Sequence, residues 1–274
     1  MDDLGFDIES ALAWFPHQQE TPYVLVRVDD AHSSAWSEAL GVAVRRCYVS
    51  DSVIISRAAA TGVAETDIIA AALPDPGATM SGDFGEILVY FYQAAQELPE
   101  QAVGPRKWRL KQDRTKAAPH SDVVHFVLPT WPTPSEEDRL LCAEVKTKAT
   151  DTSFTPIANA IADSKKDRTS RLAKTLVWLR DRALLGDVED VSIDQLNRFI
   201  NATDEPQASR HFRAVAIVCA SLVDAELGNA PEAADDEYTV VVMSVPELKA
   251  TYEAVFAAAK QATPSAGSHA GAGE

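Results

Sequence analysis

The apolar positions of this chain repeat with two periods, and these periods predict its elements. Alternating or β-branched apolar runs favour strands, whereas apolar residues three or four positions apart favour amphipathic helices. The predicted strands cover residues 23–29, 107–111, 121–128, 139–148, 212–221 and 238–245. The predicted helices cover residues 34–46, a short segment between Thr66 and Pro74, 82–98, 156–184, 193–201 and a last segment that Pro246 opens.

Two of these helices carry more detail. The helix over 82–98 is apolar nearly all round, which predicts that it is buried, and Glu86 lies on it away from the main apolar stripe. The helix over 156–184 starts at a proline, which suits a first helical position. We expect a break in it near residues 167–170.

From residue 82 onward the order is one helix, three strands, one helix and further strands. This order predicts an α/β fold with a central mixed sheet between helices. The Pro-Asp-Pro-Gly run at 74–77 predicts a loop and a boundary. It separates an N-terminal α/β subregion (1–77) from a core (78–262), and the low-complexity tail (263–274) is predicted to be disordered.

Composition narrows the class of protein. The chain has 274 residues, of which 46% are hydrophobic and 24% charged, as in globular proteins. No apolar run approaches the roughly 20 residues of a membrane helix, and the acidic N-terminus lacks the pattern of a secretory signal. The three cysteines are far apart and odd in number, which argues against a disulfide framework. We therefore expect a cytoplasmic protein without a membrane partner.

The charge balance bears on partners. The net charge is -16, whereas nucleic-acid affinity comes largely from cations that neutralise phosphates. A nucleic-acid enzyme with this balance needs either a locally basic cleft or a partner that supplies affinity. Residues 222–262 hold eight acidic residues against two lysines. Such a segment would suit the basic surface of a partner. The alternative is that its charge serves solubility alone.

Candidate chemistry begins in the predicted strand 139–148. Side chains two apart on a strand share a face, so Glu144 and Lys146 point the same way from a strand that is otherwise apolar. Such charges must be paired, metal-bound or placed at an open cleft. The alternative is an exposed face of an edge strand. The face consists of Leu140, Cys142, Glu144, Lys146 and Lys148.

Asp122 opens the preceding predicted strand. If strands 121–128 and 139–148 pair antiparallel about their connecting loop, Asp122 comes to lie near Val145, within one residue of Glu144. Neighbouring strands are about 4.8 Å apart, and two carboxylates at that separation repel each other unless a cation lies between them. Mg²⁺ or Mn²⁺ suits such oxygen ligands. The alternative for Asp122 is a turn residue at the strand entry.

Further charges extend this set. Glu86 is a candidate fourth member, although a glutamate in a first helical turn can simply compensate the helix dipole. Lysine and arginine side chains between residues 107 and 118 are candidates for phosphate contacts. The alternative is that they are only solvated. The predicted substrate-binding residues are Lys107, Arg109, Lys111 and Lys148.

The order of these pieces resembles the PD-(D/E)xK nuclease superfamily. The pieces read GDFGEIL, HSD and AEVKTK: a helix with a glutamate, an aspartate at a strand start, and Glu-x-Lys in the next strand. The consensus proline before the aspartate is displaced here to Pro119. The resemblance implies a restriction-endonuclease-like core and the catalytic set Glu86, Asp122, Glu144 and Lys146, of which the three acids would bind the metal.

A closer resemblance covers about residues 80–185. The segments GEILVYF, KWRLK, SDVVHF, LLCAEVKTKAT and PIANAIADS look like the HamA-type nuclease subunit of the Hachiman anti-phage defence system. That resemblance implies metal-dependent cleavage of DNA and a partner helicase of the HamB type. Because all four residue types occur in order, an active nuclease is favoured over an inactive nuclease-fold subunit with a binding or regulatory role.

Overall fold

A computed structural model of the chain describes residues 4–20, 22–201, 203, 205–231 and 237–264. The strands are β1 (His17–Glu20), β2 (Tyr23–Arg27), β3 (Ala102–Val103), β4 (Val123–Val127), β5 (Arg139–Lys148), β6 (Ser209–Cys219) and β7 (Thr239–Val245). The helices are α1 (Ile8–Leu12), α2 (Asp30–Tyr48), α3 (Asp51–Thr61), α4 (Glu65–Ala72), α5 (Ala78–Gln96), α6 (Pro156–Lys166), α7 (Leu172–Leu184), α8 (Ile193–Ile200), α9 (Val223–Gly228) and α10 (Leu248–Gln261).

The described strands form one sheet in the order β1-β2-β7-β6-β5-β4-β3. Its centre, β2-β7-β6-β5, is parallel, whereas β1, β4 and β3 pair antiparallel at the edges. Helices α2, α5 and α10 cover one face of the sheet, and α6, α7 and α8 cover the other. The predicted α/β fold with a mixed sheet between helices is therefore confirmed.

Side chains alternate along β5, and this alternation decides which of them face α5 and which face α7 and α8. Ala143 and Val145 pack into the core beneath α5, whereas Leu140 and Cys142 pack against α7 and α8. Glu144 and Lys146 therefore extend from the same face as Leu140 and Cys142, as the period of two predicts.

Several local features follow from the sequence. Pro156 occupies the start of α6, and the expected break in the long helix is a π-helical turn over Asp167–Arg171 between α6 and α7. A π-helical turn inserts one extra residue into a helix and is frequent at functional sites. The buried character predicted for the helix at 82–98 is confirmed, because most of α5 is inaccessible to solvent.

The strand predicted over 107–111 is wrong. Residues Lys107–Leu110 form a 3-10 turn, in which Lys107 and Trp108 are both buried. The cations of KWRLK were expected to contact phosphate or solvent, but the turn directs Lys107 and Trp108 into the protein instead.

Segments on both sides of the loop at 74–77 contribute to the same sheet. Strand β2 pairs along its length with β7, and α2 packs against α10 in the core that also contains α5. The division at residue 77 stays a prediction, and most of the tail predicted to be disordered (265–274) lies outside the described residues. No helix among the residues the structure describes is both long and apolar enough to cross a membrane.

Candidate active site

The candidate site lies where β4 and β5 separate. The β4–β5 ladder ends at Val123 opposite Ala143, while β5 continues beside β6 as far as Lys148. Beyond that last pair, the backbone N–H of Val145 donates to Oδ2 of Asp122 at 2.8 Å. A carboxylate thus replaces the missing strand partner, and the predicted proximity of Asp122 and Val145 is confirmed.

Glu144 is buried, with 1% of its surface exposed. Its Oε1 accepts a hydrogen bond from Nζ of Lys146, and its Oε2 accepts one from Nη2 of Arg171. Burial and the negative charge of Asp122 together raise the pKa of Glu144 to about 7, against the opposing effects of Lys146 and Arg171. The carboxylate of Glu144 therefore has two cations as hydrogen-bond partners and one repelling anion, Asp122, as a neighbour.

Lys146 is partly exposed, so it can reach both the buried glutamate and solvent. Its Nζ also lies 3.1 Å from Oδ2 of Asp163 on α6. Burial alone would lower the pKa of Lys146, but the hydrogen bond to Glu144 and the charges of Glu144 and Asp122 outweigh burial and raise it. The ammonium stays charged at neutral pH.

Glu86 approaches from α5, on the other side of Asp122. The helix comes close to β5 at Gly85, where an added Cβ would lie 2.2 Å from Oγ1 of Thr147. Oε2 of Glu86 accepts a hydrogen bond from Nε1 of Trp108 at 3.1 Å and lies 3.3 Å from Nζ of Lys107. Only glycine, which has no Cβ, therefore lets α5 bring Glu86 this near β5.

The ionisation of Glu86 depends on the same neighbours. Burial raises its pKa to about 8, Lys107 lowers it, and the negative charges of Asp122 and Asp83 raise it. The charge of Asp122 thus acts on both Glu86 and Glu144. The three predicted acids form one electrostatic group, with Asp122 common to both interactions.

Sequence reasoning missed Arg171, which lies at the end of the π-helical turn. Its guanidinium donates to both carboxylate oxygens of Asp167, at 2.8 and 2.7 Å, and to the backbone oxygen of Asp163 at 3.1 Å. These contacts hold it in place beside Glu144. The expected break near 167–170 was the available signal, but it did not indicate which side chain would turn inward.

A second missed group stands next to Glu86. Oδ2 of Asp83 accepts hydrogen bonds from the hydroxyl of Tyr48 at 2.7 Å and from Nζ of Lys111 at 2.6 Å. Burial raises the pKa of Asp83 although Lys111 opposes the shift. The signal in the sequence was the spacing of Asp83 and Glu86, three residues apart on one helix and therefore neighbours on its surface.

The four predicted substrate-binding cations are engaged inside the protein. Nζ of Lys107 donates to the backbone oxygen of Ser121 at 2.7 Å, and Lys111 pairs with Asp83. The guanidinium of Arg109 donates to the backbone oxygen of Arg46. Lys148 pairs with Glu226 at 2.6 Å on the far side of the sheet from α5. Contact of these cations with substrate stays a prediction.

The donor set fits a hard divalent cation in its chemistry. Carboxylate oxygens are the ligands that Mg²⁺ prefers, and it needs only one or two of them beside water. Asp122 and Glu144 supply such a pair, and their mutual repulsion is of the kind a cation relieves. In the part of the chain the structure describes, however, no group of three or more His, Cys, Asp or Glu side chains is arranged to hold a metal ion.

Comparison with known proteins adds a family. A family model described as HamA matches residues 9–259, which is most of the chain. The match includes all four predicted catalytic positions. The search of curated proteins gave no match.

Proposed function

Because the chain belongs to the HamA family, a component of the Hachiman anti-phage defence system, we propose that it is a Mg²⁺- or Mn²⁺-dependent nuclease that hydrolyses DNA phosphodiesters. The observation that carries this proposal is the meeting of Asp122, Glu144 and Lys146 where β4 and β5 separate. Two carboxylates and an ammonium at an opening in a sheet are the groups that phosphodiester hydrolysis requires.

Each side chain has a distinct role in this proposal. Asp122 and Glu144 would hold the metal, and Glu86 would be a further acid, since the charge of Asp122 acts on it as well as on Glu144. The chemistry that a bound Mg²⁺ supplies is polarisation of a phosphoryl oxygen and a lower pKa for its water. Lys146 would orient the attacking water or stabilise charge that develops on the phosphate.

The internal ion pairs of the site support a dependence on a partner. Lys107, Lys111 and Lys148 are already engaged with carboxylates or carbonyl oxygens, and the net charge of the chain is -16. At physiological ionic strength the Debye length is about 8 Å, so distant charges offer DNA little attraction. We propose that a helicase subunit delivers the substrate, which leaves the isolated nuclease restrained.

The decisive experiment incubates the purified chain with plasmid DNA and Mg²⁺, alone and together with the helicase of its system. Nicking or linearisation that requires Mg²⁺ and is stronger with the helicase is the expected result. Co-expression followed by size-exclusion chromatography at moderate salt tests the complex. If no partner co-elutes and the isolated chain degrades duplex DNA readily, the partner proposal is wrong.

A second function, that of an inactive nuclease-fold regulatory subunit, rests on one observation. Both carboxylate oxygens of Glu144 are occupied by Lys146 and Arg171. A regulatory subunit would bind the helicase and change its activity without cutting DNA under any metal condition. Absence of cleavage in the complex, combined with altered unwinding, would select this function over the first.

A further inference from the structure

One cation beside the candidate site differs from the others. Lys146, Arg171 and Lys107 each contact a carboxylate of the site. Lys174 on α7 is exposed, and among the described residues it has neither an ion pair nor a side-chain hydrogen bond. It is therefore available to an anion from outside the protein.

Two aromatic rings stand next to Lys174. Trp178 lies four residues further along α7, on the same side of the helix, and the ring of His120 packs against it with centroids 4.9 Å apart. Both rings are half-buried, so part of each faces solvent. The positive charge of Lys174 acts on His120, whose pKa is lowered by burial and then by the charges of Lys107 and Lys174.

This group is connected to the carboxylates. His120 lies two residues before Asp122, and the backbone N–H of Ser121 between them donates to Oγ1 of Thr175 on α7 at 3.2 Å. A small cavity has Asp122, Lys107 and Trp178 in its wall. The helix that carries Lys174 and Trp178 is thus fixed to the start of β4, and its exposed side borders the candidate site.

We propose that His120, Lys174 and Trp178 form a DNA-strand subsite, in which Lys174 binds a backbone phosphate and the two rings pack against the adjoining nucleoside. The proposal rests on the proposed nuclease function and deepens it by assigning where the strand lies. A free ammonium next to stacked rings matches the pattern of single-strand binding, which combines phosphate neutralisation with stacking of bases on aromatic side chains. Because a base must be unstacked from its duplex to reach the rings, the subsite favours single-stranded DNA.

The test compares matched variants of the full-length chain, alone and with the helicase. Lys174→Ala is paired with Lys260→Ala, which removes another exposed lysine, from α10 on the other face of the sheet. Trp178→Leu is paired with Trp131→Leu, which changes a half-buried tryptophan in the loop between β4 and β5. Binding of labelled single-stranded and duplex DNA is measured by fluorescence anisotropy with Ca²⁺, and KM and kcat are measured with Mg²⁺.

We expect Lys174→Ala to raise Kd and KM about tenfold, with kcat nearly unchanged. The slope of log Kd against the logarithm of salt concentration should fall by about one, as expected for the loss of one phosphate contact. Lys174→Arg should retain binding because it keeps the charge. Trp178→Leu should raise Kd about tenfold for single-stranded DNA and much less for duplex DNA. The control variants should bind like the wild type.

Three outcomes count against the proposal in different ways. If Lys174→Ala binds and cleaves like Lys260→Ala, the subsite is wrong while the nuclease function stands. If only Trp178→Leu matches its control, the rings do not belong to the subsite. If the wild type binds no DNA even with the helicase, both the subsite and the proposed function are wrong. Thermal unfolding of each variant identifies any that is destabilised, and in that case the Lys174 pair decides.

Discussion

The two ends of β5 carry buried charge in opposite ways. At its start, Arg139 donates to Glu97 at 2.9 Å, and Arg213 lies 3.3 Å from the same carboxylate. Towards its other end, where β4 has separated from it, Glu144 also contacts two cations, but the negative charge of Asp122 repels its carboxylate. One end has two guanidinium groups around one carboxylate, whereas the other brings carboxylates together.

This difference distinguishes a stabilising network from a candidate functional site. Repelling acids raise the free energy of the folded protein, so their proximity is not explained by stability. Groups with shifted pKa values cluster at functional sites for that reason. The Arg139 end can be understood as structure alone, whereas at the Glu144 end we propose a metal ion that compensates the negative charge.

The largest expected effect comes from removing the functional end. Glu144→Ala and Lys146→Ala should each lower DNA cleavage about 1000-fold, the scale on which loss of a group that stabilises a transition state acts. The fold should persist, because Lys146 keeps Asp163 and Arg171 keeps Asp167 when Glu144 is removed, and Glu144 keeps Arg171 when Lys146 is removed. A plasmid-nicking assay and circular dichroism on each variant provide the measurement.

Arg139→Ala is the matched control from the opposite end. It should reduce stability, because it takes a partner from Glu97, and leave the chemistry of cleavage intact. Full activity in both Glu144→Ala and Lys146→Ala would remove these residues from the active site.

Exchange of the metal should have the next largest effect. We expect cleavage with Mg²⁺ or Mn²⁺, none in excess EDTA, and weak cleavage with Ca²⁺ despite bound DNA. Calcium accepts more ligands in looser arrangements than the octahedral shell that Mg²⁺ demands. Parallel measurements of binding and cutting with each ion provide the test, and undiminished cutting in EDTA would rule out a metal at Asp122 and Glu144.

The sequence predicted the candidate catalytic end of β5 better than its surroundings. Alternation over ten residues fixes the face of Glu144 and Lys146, and pairing about the connecting loop brings Asp122 beside Val145. The face of each residue follows from the period of two, whereas the long loop between β4 and β5 left the register of Asp122 open until the structure showed it. Strands and the long buried helix were predictable for the same reason.

Contacts that depend on tertiary packing were not predictable. Alternation in KWRLK is satisfied over too few residues to distinguish a strand from a 3-10 turn, and it is Glu86 that draws Trp108 and Lys107 inward. Arg171, which contacts Glu144, is the last residue of a π-helical turn, and the sequence pattern did not predict which side chain of that turn would reach β5. The weakly patterned stretch around α3 gave no period, so that helix was missed.

A smaller effect is expected at the contact that positions Glu86. Gly85→Ala would place Cβ 2.2 Å from Oγ1 of Thr147 and 3.3 Å from Cδ1 of Ile217. Because α5 must move away from β5, we expect a loss of about 1–3 kcal/mol in the free energy of unfolding together with weaker cleavage. Chemical denaturation and the nicking assay measure both.

Gly82→Ala is the control in the same helix, since nothing lies within 4 Å of its added Cβ. It should leave stability unchanged or raise it by up to about 1 kcal/mol, because alanine favours helix more than glycine does. Equal destabilisation by both substitutions would show that helix propensity, rather than the approach to β5, dominates at position 85.

The smallest predicted effect is a pH dependence of stability to which the acids of the candidate site contribute. Burial raises the pKa of Glu144 to about 7 and that of Glu86 to about 8, above the ordinary value that each regains on unfolding. The folded state therefore binds protons that the unfolded state has released, so the free energy of unfolding should fall as pH rises through this range.

The contribution of Glu86 is best measured between about pH 7 and 8. Below it, histidines with lowered pKa values, such as His125, add a slope of the opposite sign because the unfolded state binds more protons there. Above it, the thiol of Cys142, whose pKa burial raises, contributes as well.

Within the window, Glu86→Gln should reduce the fall in unfolding free energy by about 1 kcal/mol relative to the wild type in metal-free buffer. Urea denaturation at both pH values measures the difference. An identical slope in wild type and variant would mean that Glu86 is ionised in the folded protein, and the contrast between the two ends of β5 would then rest on Glu144 and Asp122 alone.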